Sequence, residues 1–337
     1  MAGIKSYAAA LPSLRLPASA YVAAWGSCGA RGMKQKAFCA YDEDAVTLAI
    51  EAARGALSRL GREVRIDALF LGATTLPYDG KPSAATIPTA LFPHTDVRVT
   101  EISGSPQAGL QALVSATEFC EAGKGRHALA IAADAPEGPP DASYEHALGA
   151  AAAAFVIGPD GAAARLTDSF AMTRETFGAR FRRHGAETIS DLELRTRDNQ
   201  ASLDALGRLA RQQERAGKAT RLAIGADAGL MRGAARALGQ PEAQTEAVWT
   251  EIGDAGAAAA PFALAAALDE AAAGETILCA AIGAGATAAL FEAGDGLAAL
   301  QGRGAKVADL MAAGRSVDYV SYLKHRRMLS SRSGVRG

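Results

Sequence analysis

Thr100-Glu101-Ile102-Ser103-Gly104-Ser105-Pro106-Gln107-Ala108-Gly109-Leu110 reads as a strand end, a sharp turn and the start of a long apolar helix reaching about Cys120. A turn that enters a helix N-terminus is a place where a nucleophile can be presented. The helix amides and macrodipole stabilise an anion there, and a cysteine at that spot would have a depressed pKa. This turn carries Ser105 and Pro106 and no cysteine. The plain structural reading makes Ser105 the N-cap and Pro106 the first helical residue. What the missing cysteine means depends on the rest of the chain.

The 337 residues suffice for a large core, as one domain or two fused halves. Apolar residues make up 49% and aromatics 6%, with alanine dominant, which suits helices packed closely on a sheet. A net charge of −1 gives no electrostatic case for nucleic acid or an anionic membrane. Cys28, Cys39, Cys120 and Cys279 form neither a CxxC nor a Cys/His cluster, so no metal site or disulfide framework is expected. No signal-peptide pattern or membrane-length apolar run stands out, and the expectation is a soluble cytoplasmic chain.

Outward from the turn, the pattern alternates strand and helix. Strands are predicted at 3–9, 67–72, 97–102, 128–133 and 150–157. Helices are predicted from Asp42-Glu43-Asp44 to Gly61, over 83–91, and from the opening turn. The segment 15–41 reads as an irregular excursion. The second half repeats the order: a strand at 163–170, a polar helix at 198–216, a strand at 221–225, a helix at 229–238 and a short strand at 246–252. The turn Gly253-Asp254-Ala255-Gly256 then leads into an alanine-rich helix to 273, and strands at 276–282 and 286–292 close the set. Leu110 to Gly123 followed by 128–133 parallels Phe262 to Gly274 followed by 277–282. The inference is an internal duplication of a βαβαβαββ unit, with halves at 1–160 and 161–337.

That arrangement resembles the thiolase superfamily. Within it, Asp42 to Ala53, Pro77-Tyr78 with Lys81-Pro82, and Val317-Asp318-Tyr319-Val320-Ser321-Tyr322-Leu323-Lys324 are similar to archaeal and bacterial 3-hydroxy-3-methylglutaryl-CoA synthases, relatives of the ketoacyl synthase III type. The resemblance implies a five-layer α-β-α-β-α sandwich and carbon–carbon condensation on CoA thioesters. It also implies a cysteine nucleophile, a glutamate acid/base, a histidine and an asparagine.

Each of those positions has changed. With Gly109 on the glycine of the family turn, Pro106 stands where the cysteine belongs; a slip of one residue offers Ser105 instead. Thr74 takes the glutamate's place, Gly225 the histidine's and Asp254 the asparagine's. Aspartate in place of asparagine exchanges an amide donor for an anion, which opposes an oxyanion. His94, His127, His146, His184 and His325 fall elsewhere and read as surface or loop residues. The expectation is a chain that keeps the fold and has lost the standard reaction, so no catalytic residue is expected. It would support an active thiolase-type subunit in a hetero-oligomer or pair with itself as a homodimer, with an OB-fold/zinc-ribbon small subunit as a further partner. A second reading is an acyl-CoA-processing enzyme with aldolase-like or serine-based chemistry, using Ser105, Tyr78, Asp227 or Asp254. No covalent cofactor is expected. CoA or acyl-CoA is the expected ligand, with Arg180, Arg182 and Arg183 near its nucleotide end.

Overall fold

The computed structural model describes residues 2–61, 63–94, 96–159, 163–175, 180–192, 204, 207–208, 211, 219–225, 228–237 and 243–329. The expected helix at 198–216 falls mostly outside these residues, and Asp227 falls outside them altogether.

Among the described residues, twelve strands form a nine-stranded sheet, to which both halves of the chain contribute, and a three-stranded one. The first half supplies β1 (Ala2–Ala10), β4 (Ala68–Gly72), β5 (Arg98–Ile102), β6 (Ala128–Asp134) and β7 (Ala151–Pro159). The second half supplies β8 (Ala164–Thr173), β9 (Arg221–Gly225), β10 (Thr276–Gly283) and β11 (Gly285–Ala293). Together they run in the order β5-β4-β6-β7-β1-β8-β11-β10-β9. The two sets join where Ile4 of β1 pairs with Ala164 of β8. β4 is parallel to β5 and β6, β10 is parallel to β9, and the hairpin-like pairs β6–β7 and β10–β11 are antiparallel.

Alternation along the strands divides the core by layer. In β6, Ala128, Ala130 and Ala132 join an inner cluster, while Leu129, Ile131 and Ala133 join an outer one. In β10, Ile277, Cys279 and Ala281 face the inner cluster, and Leu278, Ala280 and Ile282 face a third cluster on the far side. The inner cluster also holds Leu110, Leu113 and Ala116 of α4 (Ala108–Glu121) and Phe262, Leu264 and Leu268 of a later helix, Ala259–Glu270. Those two helices are therefore the middle layer, packed against strands of both halves of the nine-stranded sheet. α2 (Ala45–Leu60) covers the outer face of the first half's strands. α5 (Ala228–Ala237) and α6 (Ala243–Ile252) cover that of the second half's, and Ala259–Glu270 is α7. The alanine-rich composition follows from this geometry, because the middle helices must approach the strands of both halves at once.

α2 shows how local chemistry sets an element. Its acidic trio stands ahead of the helix: Asp44 is the N-cap, and its carboxylate accepts from Thr47 N at 2.8 Å while Thr47 Oγ1 accepts from Asp44 N at 2.8 Å. That reciprocal pair is a capping box with threonine in the N3 place.

Two expectations are corrected. Residues 246–252 are helical, within α6: Val248, Trp249 and Ile252 are buried at helical spacing, so the second half has no third strand there. The excursion at 15–41 is ordered. β2 (Leu14–Pro17), α1 (Ala18–Trp25) and β3 (Gln35–Phe38) lie within it, and β2 pairs with β3 and with β12 (Arg315–Ser316). The remaining helices are α3 (Thr86–Leu91), α8 (Leu297–Gln301), α9 (Val307–Ala312) and α10 (Tyr319–His325). Among the described residues no helix is long and apolar enough to cross a membrane.

Candidate functional site

The C-terminal ends of β4, β6, β9 and β10 converge on the start of α4 and on the turn before α7. The approach is backbone on backbone. A Cβ at Gly72 would collide with Ala108 O, and one at Gly109 with Ala257 O and with Ala132 Cβ at 2.7 Å. A Cβ at Gly283 would meet Ser105 Oγ and lie 2.9 Å from Pro106 Cδ. Ala281, two residues before Gly283, pairs with Gly225. Thr74, Pro106, Gly225 and Asp254, far apart in sequence, thus belong to one region.

The opening turn differs from the cap first read into it. α4 begins at Ala108, with Gln107 in the cap position and in helical φ/ψ, so Pro106 precedes the helix. Ser105 O accepts from Ala108 N at 2.9 Å, and Ser105 Oγ accepts from Gln107 N at 3.3 Å. Gln107 is buried and its Oε1 accepts from Thr287 Oγ1 at 2.7 Å. Ser105 Oγ is therefore engaged by Gln107, an amide and not a base.

At the centre lies Asp134, the last residue of β6, which is fully buried. Its carboxylate accepts from Thr74 N at 3.1 Å, Thr74 Oγ1 at 2.6 Å, Thr75 Oγ1 and Ala257 N at 2.8 Å. Gly256 has φ 54°, and a Cβ there would strike Asp134 Oδ2, so glycine is needed on both counts. Thr74 thus works as a hydroxyl ligand of a buried carboxylate that ties the first half to the turn of the second. Sequence reading passed over Asp134. Its signal was an acidic residue ending the otherwise wholly apolar run 128–133.

Asp254 is also paired. Arg180 Nη2 donates to Asp254 Oδ2 at 2.7 Å and Nη1 to Oδ1 at 3.3 Å, and Gly256 N donates to Oδ1 at 2.9 Å. The fork geometry is the strong form of this pair. Burial pulls the Arg180 guanidinium down, but the Asp254 carboxylate and its hydrogen bond more than offset this, and the group ends above its ordinary range. Arg180, expected near the nucleotide end of CoA, is the partner of Asp254.

Thr74, Tyr78, Lys81, Glu101, Ser103 and Arg182 line an adjoining open pocket of about 420 Å³. Tyr78 is half exposed, with Lys81 Nζ 4.6 Å from its ring centroid. Glu101 Oε1 accepts from Ala84 N at 2.6 Å. Arg182 is exposed and donates to Ala186 O at 3.2 Å, and Arg183 is exposed. His146 is not the surface or loop histidine expected: it is buried, stacked on Tyr21 at 3.9 Å between ring centroids, and its Nδ1 accepts from Gly29 N at 2.8 Å. Among the described residues no group of histidine, cysteine, aspartate and glutamate is arranged to hold a metal.

Comparison with known proteins agrees with this architecture. No family model matches the chain. It is 35% identical over 158 residues to a hydroxymethylglutaryl-CoA synthase of Thermococcus gammatolerans, covering 47% of this chain and 45% of that protein. It is 36% identical over 157 residues to the one of Pyrococcus horikoshii, covering 46% and 45%. The matched region thus spans about half the length of these relatives. In structure, MvaS in complex with 3-hydroxy-3-methylglutaryl coenzyme A superposes with a TM-score of 0.81 at 19% identity, over 97% of this chain and 91% of that one. 3-oxoacyl-(acyl carrier protein) synthase III, FabH, from Pseudomonas aeruginosa PAO1 gives 0.76 at 20% identity, over 87% and 98%. The structural likenesses establish a fold shared with MvaS and FabH, and over about half of its length the chain is similar in sequence to hydroxymethylglutaryl-CoA synthases.

Proposed function

We propose that this chain is a catalytically degenerate hydroxymethylglutaryl-CoA synthase-like subunit, which supports an active thiolase-type partner in making or breaking carbon–carbon bonds of acyl-CoA. The observation that carries this is Pro106 at the turn entering α4, pressed against the β10–β11 turn at Gly283. Proline brings neither a nucleophilic side chain nor an amide N–H to a helix terminus that would otherwise offer both.

The electrostatics of the region point the same way. Condensation on a thioester needs donors aimed at a developing oxyanion. Here the carboxylates of Asp254, Asp134 and Asp191 act on the guanidinium of Arg180, whose bidentate fork is committed to Asp254. Thr74 Oγ1 donates to Asp134 and is no general acid/base near neutral pH. Three of the four thiols are poor substitutes for the missing nucleophile: burial pushes Cys39 up to about 12 and Cys120 up to about 11, and raises Cys279 as well.

CoA or acyl-CoA remains the ligand class of this reading, taken up by the chain or by its assembly in the cytoplasm, with no covalent cofactor. Lys81 and Arg182 at the open pocket are the cations best placed for an anionic end. The partner is an active thiolase-type chain, joined by an OB-fold/zinc-ribbon small protein, or a second copy in a homodimer.

The test is to purify the chain alone and together with the products of neighbouring genes. Condensation and cleavage of acyl-CoA are then assayed, and CoA binding is measured by calorimetry. The expected result is no turnover by the lone chain, and turnover or solubility of the partner raised by its presence. Turnover by the lone chain, abolished by Ser105→Ala or Tyr78→Phe, would replace this reading with the altered-enzyme one. No CoA heat for either the chain or the assembly would remove the ligand claim.

A further inference from the structure

The C-terminal phrase Val317–Lys324 reaches back into the core through one side chain. Its Tyr322, on α10, enters a buried ionic cluster with Lys36 of β3 and Glu145 of the 3₁₀ turn Glu145–Ala147. Lys36 Nζ lies 2.7 Å from Glu145 Oε1, and both side chains are 1% exposed. The same Nζ donates to the main-chain Glu145 O at 2.8 Å and stands 3.2 Å from Tyr322 OH. Tyr21 OH donates to Glu145 Oε1 at 2.7 Å, and Tyr322 OH donates to that oxygen as well.

A buried ion pair is a weak source of stability, since apolar residues of similar volume often do as well. Its geometry is the more informative property. By holding the carboxylate and the carbonyl of one residue, Lys36 fixes the 3₁₀ turn itself. The last residue of that turn and the chain just after it bracket the main chain of Asp254: Asp254 N donates to Ala147 O at 2.7 Å and Gly149 N donates to Asp254 O at 2.9 Å. Lys36 also touches this turn from the other side. Gly253 has φ 78°, and a Cβ there would lie 2.6 Å from Ala147 O and 3.1 Å from Lys36 Cβ. β3 is tied in by Ala150 N, which donates to Ala37 O at 2.8 Å.

We propose that Lys36, Glu145 and Tyr322 form a positioning unit, through which the C-terminal helix α10 fixes the Gly253–Asp254 turn and with it the Asp254–Arg180 pair. None of the three touches a reacting group; they act through residues 145–149. The inference rests on reading Asp254 as a site position, but not on whether the chain turns over.

Hydrogen–deuterium exchange on the full chain tests it, with Tyr322→Phe and the double variant Lys36→Met/Glu145→Met. The single variant removes one hydroxyl and keeps the ring. The double variant removes both charges, so neither is left buried alone. The expected result is that the amides of Gly149, Asp254 and Gly256 exchange at least about tenfold faster than in the parent, while those of β4 and β6 keep their rates. The double variant should show the larger change. Unchanged rates at the three amides in a variant that melts like the parent would overturn the proposal, as would a uniform rise across all strands. If the double variant does not fold, Tyr322→Phe decides alone. Because the readout needs neither ligand nor partner, turnover by the lone chain would end the degenerate-subunit reading and leave this one standing.

Discussion

At the scale of single residues, Pro106 defines what one substitution can restore. Pro106→Cys returns a thiol and an amide N–H to the turn, but Thr74 stays bonded to Asp134 and Asp254 stays bonded to Arg180. The expected outcome is a thiol that alkylates yet supports no acyl-CoA condensation above background, checked by mass spectrometry and a coupled CoA assay. Thr74→Val isolates the role of Asp134. Valine keeps the volume and removes the 2.6 Å hydroxyl donor, leaving a buried carboxylate one partner short. The expected loss is about 1–3 kcal/mol of unfolding free energy, read by urea titration. The positions of Pro106, Thr74 and Asp254 were legible in the sequence because each sits at a fixed distance from a landmark, a glycine or a strand end. Their partners were not. Asp134 finds Ala257 and Arg180 finds Asp254 across long sequence separations, and no local spacing encodes such meetings. The arginines at 180–183 were visible only as positive charge, which says nothing of which carboxylate each will meet.

At the scale of elements, the informative contact is the start of α4. Gly109 lies in a helix, where alanine is ordinarily favoured by up to about 1 kcal/mol. Here a methyl group would run into Ala257 O and Ala132 Cβ. Gly109→Ala is therefore expected to destabilise, by about 1–3 kcal/mol or more, through overpacking between two rigid backbones. A lowered melting temperature in calorimetry checks the sign. α2 and α4 were legible because one face of each is apolar at helical spacing over three turns or more. The stretch 246–252 was misread for the opposite reason: seven residues with Val248, Trp249 and Ile252 do not fix the period by themselves, and tertiary packing decides, with Trp249 joining the outer cluster of the second half and Val248 and Ile252 the inner one. The small sheet β12-β2-β3 could not be read at all, since its third strand comes from two residues near the other end of the chain.

At the scale of the whole molecule, the buried phenols and thiols share one response to alkali. Burial first, then Asp269, raises the Tyr7 phenol above its ordinary 10.0, and burial and the neighbouring Glu145 cluster do the same for Tyr21 and Tyr322. Burial pushes the Cys39 thiol to about 12 and the Cys120 thiol to about 11, from an ordinary 9.0. In each case the folded chain keeps a proton that the unfolded chain releases, so the contribution is full below the ordinary value and is lost as pH rises toward the folded one. Lys36 acts in the opposite sense. Burial lowers its ammonium to about 8, so between there and its ordinary 10.5 the unfolded chain holds the extra proton and stability rises with pH. Above 10.5 that opposing contribution is complete, while the phenols and thiols still pull downward. The urea midpoint is therefore expected to change little up to about pH 9 and to fall steeply beyond about pH 10.5. The double variant Lys36→Met/Glu145→Met separates the two senses. Removing the lysine deletes the rising contribution, and removing the carboxylate lowers the Tyr21 and Tyr322 phenols toward their ordinary value. Its midpoint should begin to decline at lower pH than the parent's and fall less steeply above about pH 10.5. A parent and double variant with superimposable pH profiles would mean that the cluster's charges do not govern the alkaline transition.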